Sequence, residues 1–137
     1  MEKKQFNEII SLHRGYDLPS DDRVSGCVPL YAANGLSDRV SKSKIDGPGV
    51  ITGRSGTIGN VFFCRTSFWP LNTTLFVSDF HGNDPHYISY WLSRFPLSNF
   101  AGGASVPTLN RNELSKSICS IHSKDEQRHI VGTRRVS

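Results

Sequence analysis

The chain has 137 residues, of which 36% are hydrophobic and 20% are charged, and its formal net charge is +4. This length and composition exclude a disordered chain and leave room for one domain rather than two. No stretch is apolar enough for a signal peptide or a membrane span, and three scattered cysteines (Cys27, Cys64 and Cys119) favour the reducing cytoplasm over a disulfide framework or a zinc site.

The N-terminal half is predicted to contain one helix and several strands. Apolar residues recur at helical spacing between Phe6 and His13, and Gly15 is expected to end that helix. Short apolar runs between glycine or polar turns predict strands at 27–32, 50–52, 60–65 and 74–80. Within the first of these runs, Pro29 favours an edge position. The polar segment 35–47 lacks apolar periodicity and is predicted to be an exposed loop.

The clearest helix is predicted over about 84–95. Asp84 is placed as its N-cap and Pro85 as its first helical residue. An apolar stripe follows at positions i, i+3, i+4 and i+7: Ile88, Trp91, Leu92 and Phe95. We interpret these aromatic residues as part of the core rather than as a surface for stacking bases.

Two further helix starts are predicted in the C-terminal part. Asn110, three residues before Glu113, opens a short helix, and Ser123 with Glu126 opens the last one. A final strand is predicted at 117–121 between them. Because strands and helices intermix without a βαβ rhythm, the sequence predicts a single small α+β domain with a twisted, mostly antiparallel sheet.

The segment 47–61, GPGVITGRSGTIGNV, surrounds Arg54 with five glycines. It does not fit a Walker loop, because Gly49 and Gly53 enclose only three residues and an arginine stands where a lysine is required. The following glycines are spaced GxxGxxG rather than GxGxxG, which also excludes a dinucleotide fingerprint. No nucleotide site is predicted.

Catalytic alternatives find little support. Four residues of the segment DFHGNDPHY are of metal-binding type: Asp79, His81, Asp84 and His86. However, Asp84 and Pro85 are better explained as a helix start, and no HExxH pattern accompanies them. Ser105 does not lie in a GxSxG elbow, and the motif of an adenine methyltransferase is not found. The sequence predicts neither an enzyme nor a metal site.

Basic residues are concentrated in one part of the chain. Between positions 39 and 65 the only acid is Asp46, and five residues are basic: Arg39, Lys42, Lys44, Arg54 and Arg65. A local excess of this kind is typical of a surface that binds a polyanion, whereas the alternative is an ordinary solvated basic surface.

Six motifs occur in an order that resembles a known family. They are LHRGYDLP with DDR at 12–23, VPLYAANG at 28–35, GPGVITGRSGTIGNV at 47–61, FWPLNTTLFV at 68–77, FAGGASVPTLNRNEL at 100–114 and EQRHIVG at 126–132. The chain thereby resembles the target-recognition domain of the DNA specificity (S) subunit of type I restriction–modification enzymes. The resemblance implies a recognition domain at 1–122 and the truncated start of a spacer helix at 123–137.

The resemblance also implies a function. Such a domain binds one half of a split double-stranded DNA target in the cytoplasm, without a cofactor or catalysis of its own, while partner methyltransferase and restriction subunits modify or cleave the DNA. A second specificity half-subunit is a further expected partner, and a membrane is not. The alternative is a remnant that no longer binds DNA and acts as a decoy for methyltransferase or another specificity chain.

Basic side chains are the first candidates for DNA contact. The predicted loop at 35–47 contributes three that would neutralise phosphates: Arg39, Lys42 and Lys44. Arg54 is expected to recognise a base, since a guanidinium engages guanine O6 and N7 together. The alternative for Arg54 is a structural ion pair with Asp46.

The other candidates follow the first helix or lie in predicted turns and loops: Arg14, Tyr16, Asn34, Ser55, Thr57, Asn72, Thr73 and Arg111. Arg14 and Tyr16 would touch the DNA backbone. Asn34 and Asn72 are interpreted first as turn residues, with recognition of adenine as the alternative. Arg111 would contact phosphate or support its own loop.

Overall fold

The computed structural model of the chain describes residues 1–102 and 105–136, and the side chains up to residue 132. The strands are β1 (Glu2–Gln5), β2 (Ser11–Arg14), β3 (Ser25–Ala32), β4 (Gly35–Val40), β5 (Gly49–Gly53), β6 (Val61–Cys64), β7 (Trp69–Pro70), β8 (Thr74–Asp79) and β9 (Ile118–Ile121). The α-helices are α1 (Phe6–Ile9), α2 (Pro85–Ser93), α3 (Arg111–Lys116) and α4 (Lys124–Val136). Single 3₁₀ turns lie at Ser20–Asp22 and Leu97–Phe100.

The strands form three sheets rather than the single sheet predicted. A four-stranded sheet has the order β2-β8-β5-β6, a three-stranded sheet has the order β4-β3-β7, and β1 pairs with β9. Pairing is antiparallel except between β3 and β7, where Leu30 lies opposite Trp69. The predicted α+β class is confirmed, with antiparallel pairing dominant.

The main core lies between the four-stranded sheet and α2. Ile88 and Leu92 of the helix are fully buried and belong to one apolar cluster with Val50 and Leu75 of the sheet. Burying a side chain of this size contributes about 1.5–3 kcal/mol. Trp91 packs partly buried against the same cluster, so its interpretation as a core residue is confirmed.

The start of α2 follows the sequence prediction. The Asp84 carboxylate accepts hydrogen bonds from the backbone N–H of His86 at 2.8 Å and of Tyr87 at 3.2 Å. These bonds satisfy two of the donors that a helix N-terminus leaves open. The helix ends at Ser93, two residues earlier than predicted.

The first predicted helix is too long. Helix α1 ends at Ile9, and the chain continues as β2, in which Leu12 pairs with Val77 of β8. The apolar spacing that predicted a helix is satisfied by burial of Phe6, Ile9 and Ile10 around a single turn. Beyond these residues, hydrogen bonding to β8 outweighs the local helical pattern. Sequence periodicity could not show this, because the partner strand is distant in the chain.

The predicted loop at 35–47 begins as a strand. Its first six residues form β4, which pairs with β3 across a turn at Ala33 and Asn34. Only the end residues of β4 are buried, so no alternating pattern marks it in the sequence. Strand β3 is the middle strand of its sheet rather than the expected edge strand, but Pro29 itself pairs only with β4, because the pairing of β3 with β7 begins at Leu30.

Both predicted C-terminal helix starts are present. The Asn110 side chain accepts from the backbone N–H of Glu113 at 3.2 Å. At α4, the Ser123 hydroxyl accepts from the N–H of Glu126 at 3.3 Å, and the Glu126 carboxylate accepts from the N–H of Ser123 at 3.1 Å. This is the reciprocal arrangement of a capping box.

Within the described residues, no helix has the length and apolarity needed to cross a bilayer.

Candidate nucleic-acid interface

Three arginines line one open cleft of about 310 Å³. Arg14 ends β2, Arg54 directly follows β5, and Arg111 begins α3. Strands β2 and β5 bring the first two together because both pair with β8, where Leu75 lies opposite Arg14 on one side and Thr52 on the other.

The third arginine is brought in by a main-chain link between distant segments. The N–H of Leu109 donates to the carbonyl of Arg54 at 2.8 Å, which fixes the residues before α3 beside the end of β5. Arg111 also donates to the carbonyl of Leu12 at 3.4 Å, a long contact with β2. The arginines at 14, 54 and 111, all candidates from the sequence, are thus one cluster.

Arg54 is held more firmly than its neighbours. Its Nε donates to the carbonyl of Asn72 at 2.8 Å, and its backbone N–H donates to the carbonyl of Thr73 at 2.8 Å. The predicted alternative, an ion pair with Asp46, is not formed: the Asp46 carboxylate instead accepts from the Ser67 hydroxyl at 3.5 Å. In the described part of the chain, no carboxylate forms an ion pair with any of the three cleft arginines.

The cleft is electrostatically unbalanced. Burial lowers the pKa of Arg54, and the positive charges of Arg14 and Arg111 lower it further. An arginine remains protonated at neutral pH despite such a change. Mutual repulsion of three guanidinium groups without a carboxylate favours the binding of an anion between them.

The glycine-rich loop supports the cleft through its backbone. A Cβ at Gly53 would overlap the carbonyl oxygen of Thr57, so only glycine allows this close approach. Gly56 has a φ of 89°, in the region that disfavours other residues, and its N–H donates to the carbonyl of Pro107 at 2.9 Å. The glycines therefore shape turns, and Ser55 pairs with Thr108 beside the cleft.

The turn that precedes β8 contributes main-chain acceptors. Asn72 and Thr73 lie in the turn that their sequence predicted, and their carbonyl groups receive the two hydrogen bonds from Arg54. The Thr73 hydroxyl is buried and has no hydrogen-bond partner among the described residues. The backbone of this turn, rather than its side chains, positions the arginine.

A second group of candidates surrounds the Tyr16 ring. The Lys44 ammonium lies 4.7 Å from the centre of the Tyr16 ring and 5.7 Å from that of Trp69. The Trp69 indole donates to the carbonyl of Tyr16 at 2.9 Å, and His13 stacks on Tyr16 at 5.7 Å. The Lys44 charge is therefore partly compensated by aromatic faces.

The remaining candidates do not line the cleft. Arg39 is exposed on β4 opposite Pro29, and Lys42 is exposed just after that strand. Asn34 is exposed in the β3–β4 turn, in agreement with its interpretation as a turn residue. Thr57 is exposed in the glycine-rich loop.

The DNA-binding candidates from the sequence omitted two polar residues of the cleft, Asn110 and Asn112. Asn112 lines it beside Arg111, one residue into α3. Its neighbour Asn110 also lines the cleft but uses its side-chain oxygen to cap the helix. The sequence already predicted Asn110 as the cap, but it did not show that this helix start lies beside Arg54, which follows from the hydrogen bond of Leu109 to the Arg54 carbonyl.

The possible metal ligands form two separate pairs. His81 lies 3.7 Å from Asp79, and His86 lies 3.9 Å from Asp84. Among the residues that the structure describes, no three histidine, cysteine or acidic side chains are grouped to hold a metal ion. All three cysteines are free thiols.

Comparison with known proteins gives matches among solved structures only. No protein-family model and no curated protein sequence matches the chain. The crystal structure of a type I restriction–modification S subunit from M. genitalium matches 98% of this chain with a TM-score of 0.83 and 17% sequence identity. The chain has a fold found within S subunits. It spans only 38% of that S subunit.

Two other solved structures agree. One, described as the structural basis of complex assembly and conformational transition of the type I R-M system, has a TM-score of 0.75 and 12% identity over 98% of this chain and 37% of its own. The HsdS subunit from Thermoanaerobacter tengcongensis has a TM-score of 0.64 and 11% identity over 98% and 36%. The S-subunit resemblance of the sequence motifs is thus confirmed at the level of the fold.

Proposed function

We propose that this chain binds double-stranded DNA sequence-specifically, as the specificity component or half-subunit of a type I restriction–modification system. In this role it recognises one half of a split target on behalf of methyltransferase and restriction subunits. It has no catalytic activity and needs no cofactor. A DNA-binding role of this kind requires a cytoplasmic location.

The observation that supports the proposal most is the arginine cleft on an S-subunit fold. Arg14, Arg54 and Arg111 come from three distant segments and converge without a carboxylate among the described residues. A cluster of positive charges without a carboxylate partner favours the binding of an anion. Several guanidinium groups together form strong hydrogen bonds with the phosphates of nucleic acid. Release of counterions from the duplex would then drive association.

Exposed basic residues outside the cleft add positive charge to the domain. Arg39, Lys42 and Lys44 are exposed, and long-range attraction to the duplex requires no fixed geometry from them. We assign them to phosphate contacts, which add affinity on any sequence. Base recognition is assigned to the cleft and its glycine-rich loop.

The test is fluorescence anisotropy of the purified chain with labelled duplexes drawn from a randomised pool, across a salt series. We expect binding whose log K falls linearly with log salt, with a slope of about −0.9 for each phosphate contact. The variant Arg94→Ala controls for net charge. It removes one positive charge outside the cleft, at the end of α2, where the Arg94 guanidinium lies 4.5 Å from the centre of the Tyr90 ring. It should leave the slope unchanged.

Two results would contradict the proposal. Absence of affinity for every duplex in the pool, at low salt, would exclude DNA recognition by this chain. If the same chain then copurified with a type I methyltransferase subunit, the decoy role would be favoured. DNA cleavage or methylation by the chain alone would exclude a purely specificity-determining role.

A further inference from the structure

Arg54 differs from the other two cleft arginines in how it is held. Arg14 and Arg111 are exposed, whereas Arg54 is half-buried. Its Nε is committed to the carbonyl of Asn72 at 2.8 Å. Its own N–H and carbonyl are fixed by Thr73 and Leu109, both at 2.8 Å. The position of this guanidinium is therefore set by the fold before any ligand binds.

Fixed and mobile guanidinium groups suit different acceptors. A phosphate presents several equivalent oxygens and accepts hydrogen bonds from many directions, so a mobile side chain binds it well. Guanine presents O6 and N7 side by side in the major groove and requires a planar fork at one defined angle. An arginine whose orientation is already fixed loses little conformational entropy on forming that paired contact.

We propose that Arg54 recognises a guanine base in the major groove, oriented by the carbonyl of Asn72, while Arg14 and Arg111 bind the phosphates on either side. The recognised half-target therefore contains a guanine at the position that faces the cleft. This inference rests on the proposed function, since it assigns a role within the same DNA-binding site.

The first step of the test identifies that position. Selection from the randomised pool by the wild-type chain gives the preferred sequence, and single base-pair changes measured by anisotropy show which positions matter. We expect one G·C pair whose replacement weakens binding by about 5- to 150-fold, the range of a paired guanidinium–guanine contact.

The second step connects that pair to Arg54. Arg54→Gln removes the guanidinium fork, and a glutamine amide pairs with adenine rather than guanine, so the preference for guanine at this position should disappear while the salt slope changes by no more than about one unit. Arg111→Gln is the matched control: it loses the same charge and should weaken binding on all duplexes alike, but it should keep the preference. Asn72→Ala removes the amide side chain but keeps the carbonyl, so it should keep the preference as well. Thermal unfolding of each variant verifies that it is folded.

The third step uses wild-type protein and therefore does not depend on a variant's stability. Replacing the identified guanine by 7-deazaguanine removes the N7 acceptor and retains base pairing. Wild-type binding should weaken at least fivefold, and binding of Arg54→Gln should change by less than twofold.

The outcomes separate the inference from the proposed function. Failure of the wild-type chain to bind any duplex would overturn both. Sequence-specific binding that Arg54→Gln leaves intact, or that it weakens equally on all duplexes, would overturn the guanine assignment alone. Loss of the preference in Asn72→Ala would transfer base recognition to the Asn72 amide and also overturn it.

Discussion

The arginine cleft and the Lys44 group both place positive charge near the surface, but they differ in whether the fold compensates that charge. Lys44 lies over the rings of Tyr16 and Trp69, so its charge is partly compensated within the domain. In the cleft, Arg54 is fixed by carbonyl groups, and the positive charges of Arg14 and Arg111 lower its pKa. A cation compensated by the fold stabilises the fold. An uncompensated cluster of positive charges instead favours the binding of an anion.

The largest expected effect is on DNA affinity when the cleft loses its charge. In a chain with Arg14, Arg54 and Arg111 all replaced by alanine, we expect a loss of about 4 kcal/mol or more, since each hydrogen bond to a charged group contributes about 1.5–3 kcal/mol. The salt slope should fall by about two to three units. Anisotropy across the salt series measures both quantities.

The matched comparison for the cleft variant is Arg39, Lys42 and Lys44 replaced by alanine. It removes the same number of charges, but each position lies outside the cleft. We expect a smaller loss, equal on preferred and random duplexes. If the two triple variants behave alike, the cleft has no special role.

A smaller effect is expected when the support of the cleft is changed. Gly53→Val forces a side chain against the Thr57 carbonyl and should lower the free energy of unfolding by about 1–3 kcal/mol. Gly56→Val is costly for another reason, the φ of 89°, although no atom of the described residues lies within 4 Å of its Cβ position. Urea unfolding followed by fluorescence gives both values.

Comparing asparagine with alanine at each of the two positions separates these two causes. Gly56→Asn tolerates the left-handed backbone better than Gly56→Ala and should recover part of the stability. Gly53→Asn should recover none, because the contact with Thr57 concerns any Cβ. Equal recovery at both positions would show that backbone conformation, not steric overlap, governs Gly53.

The smallest effect is expected at the Lys44 group. Lys44→Ala removes the contact with Tyr16 and Trp69 and should lower the free energy of unfolding by about 0.5–1 kcal/mol. Lys42→Ala is the control, since Lys42 is also exposed and carries the same charge without a ring contact of this kind in the described structure. It should leave the unfolding free energy unchanged. A loss of stability in both variants would point to net charge as the cause.

The sequence predicted structure correctly where the contacts that determine it are local. The N-cap of α2 depends on Asp84 and the two residues after Pro85. The capping box of α4 depends on Ser123 and Glu126, which lie within one turn of each other. Such contacts are encoded within a few residues of each other. They were predicted correctly.

Contacts between distant segments account for the errors. Strand β2 was predicted as helix because its partner, β8, lies more than 60 residues away in the chain. The same kind of pairing brings Arg14 beside Arg54, so each arginine could be named from the sequence but their meeting could not. The choice between Asp46 and the Asn72 carbonyl as the partner of Arg54 likewise required the fold.

The main-chain anchoring of position 54 has a consequence for how specificity changes. The hydrogen bonds that link this residue to Thr73 and Leu109 use its peptide groups, so they persist whichever side chain it carries. A substitution there exchanges the chemistry presented to the ligand while the frame around it stays in place. If Arg54 recognises a base as proposed, we expect substitutions at this single position to change the preferred DNA sequence while the surrounding backbone keeps its hydrogen bonds.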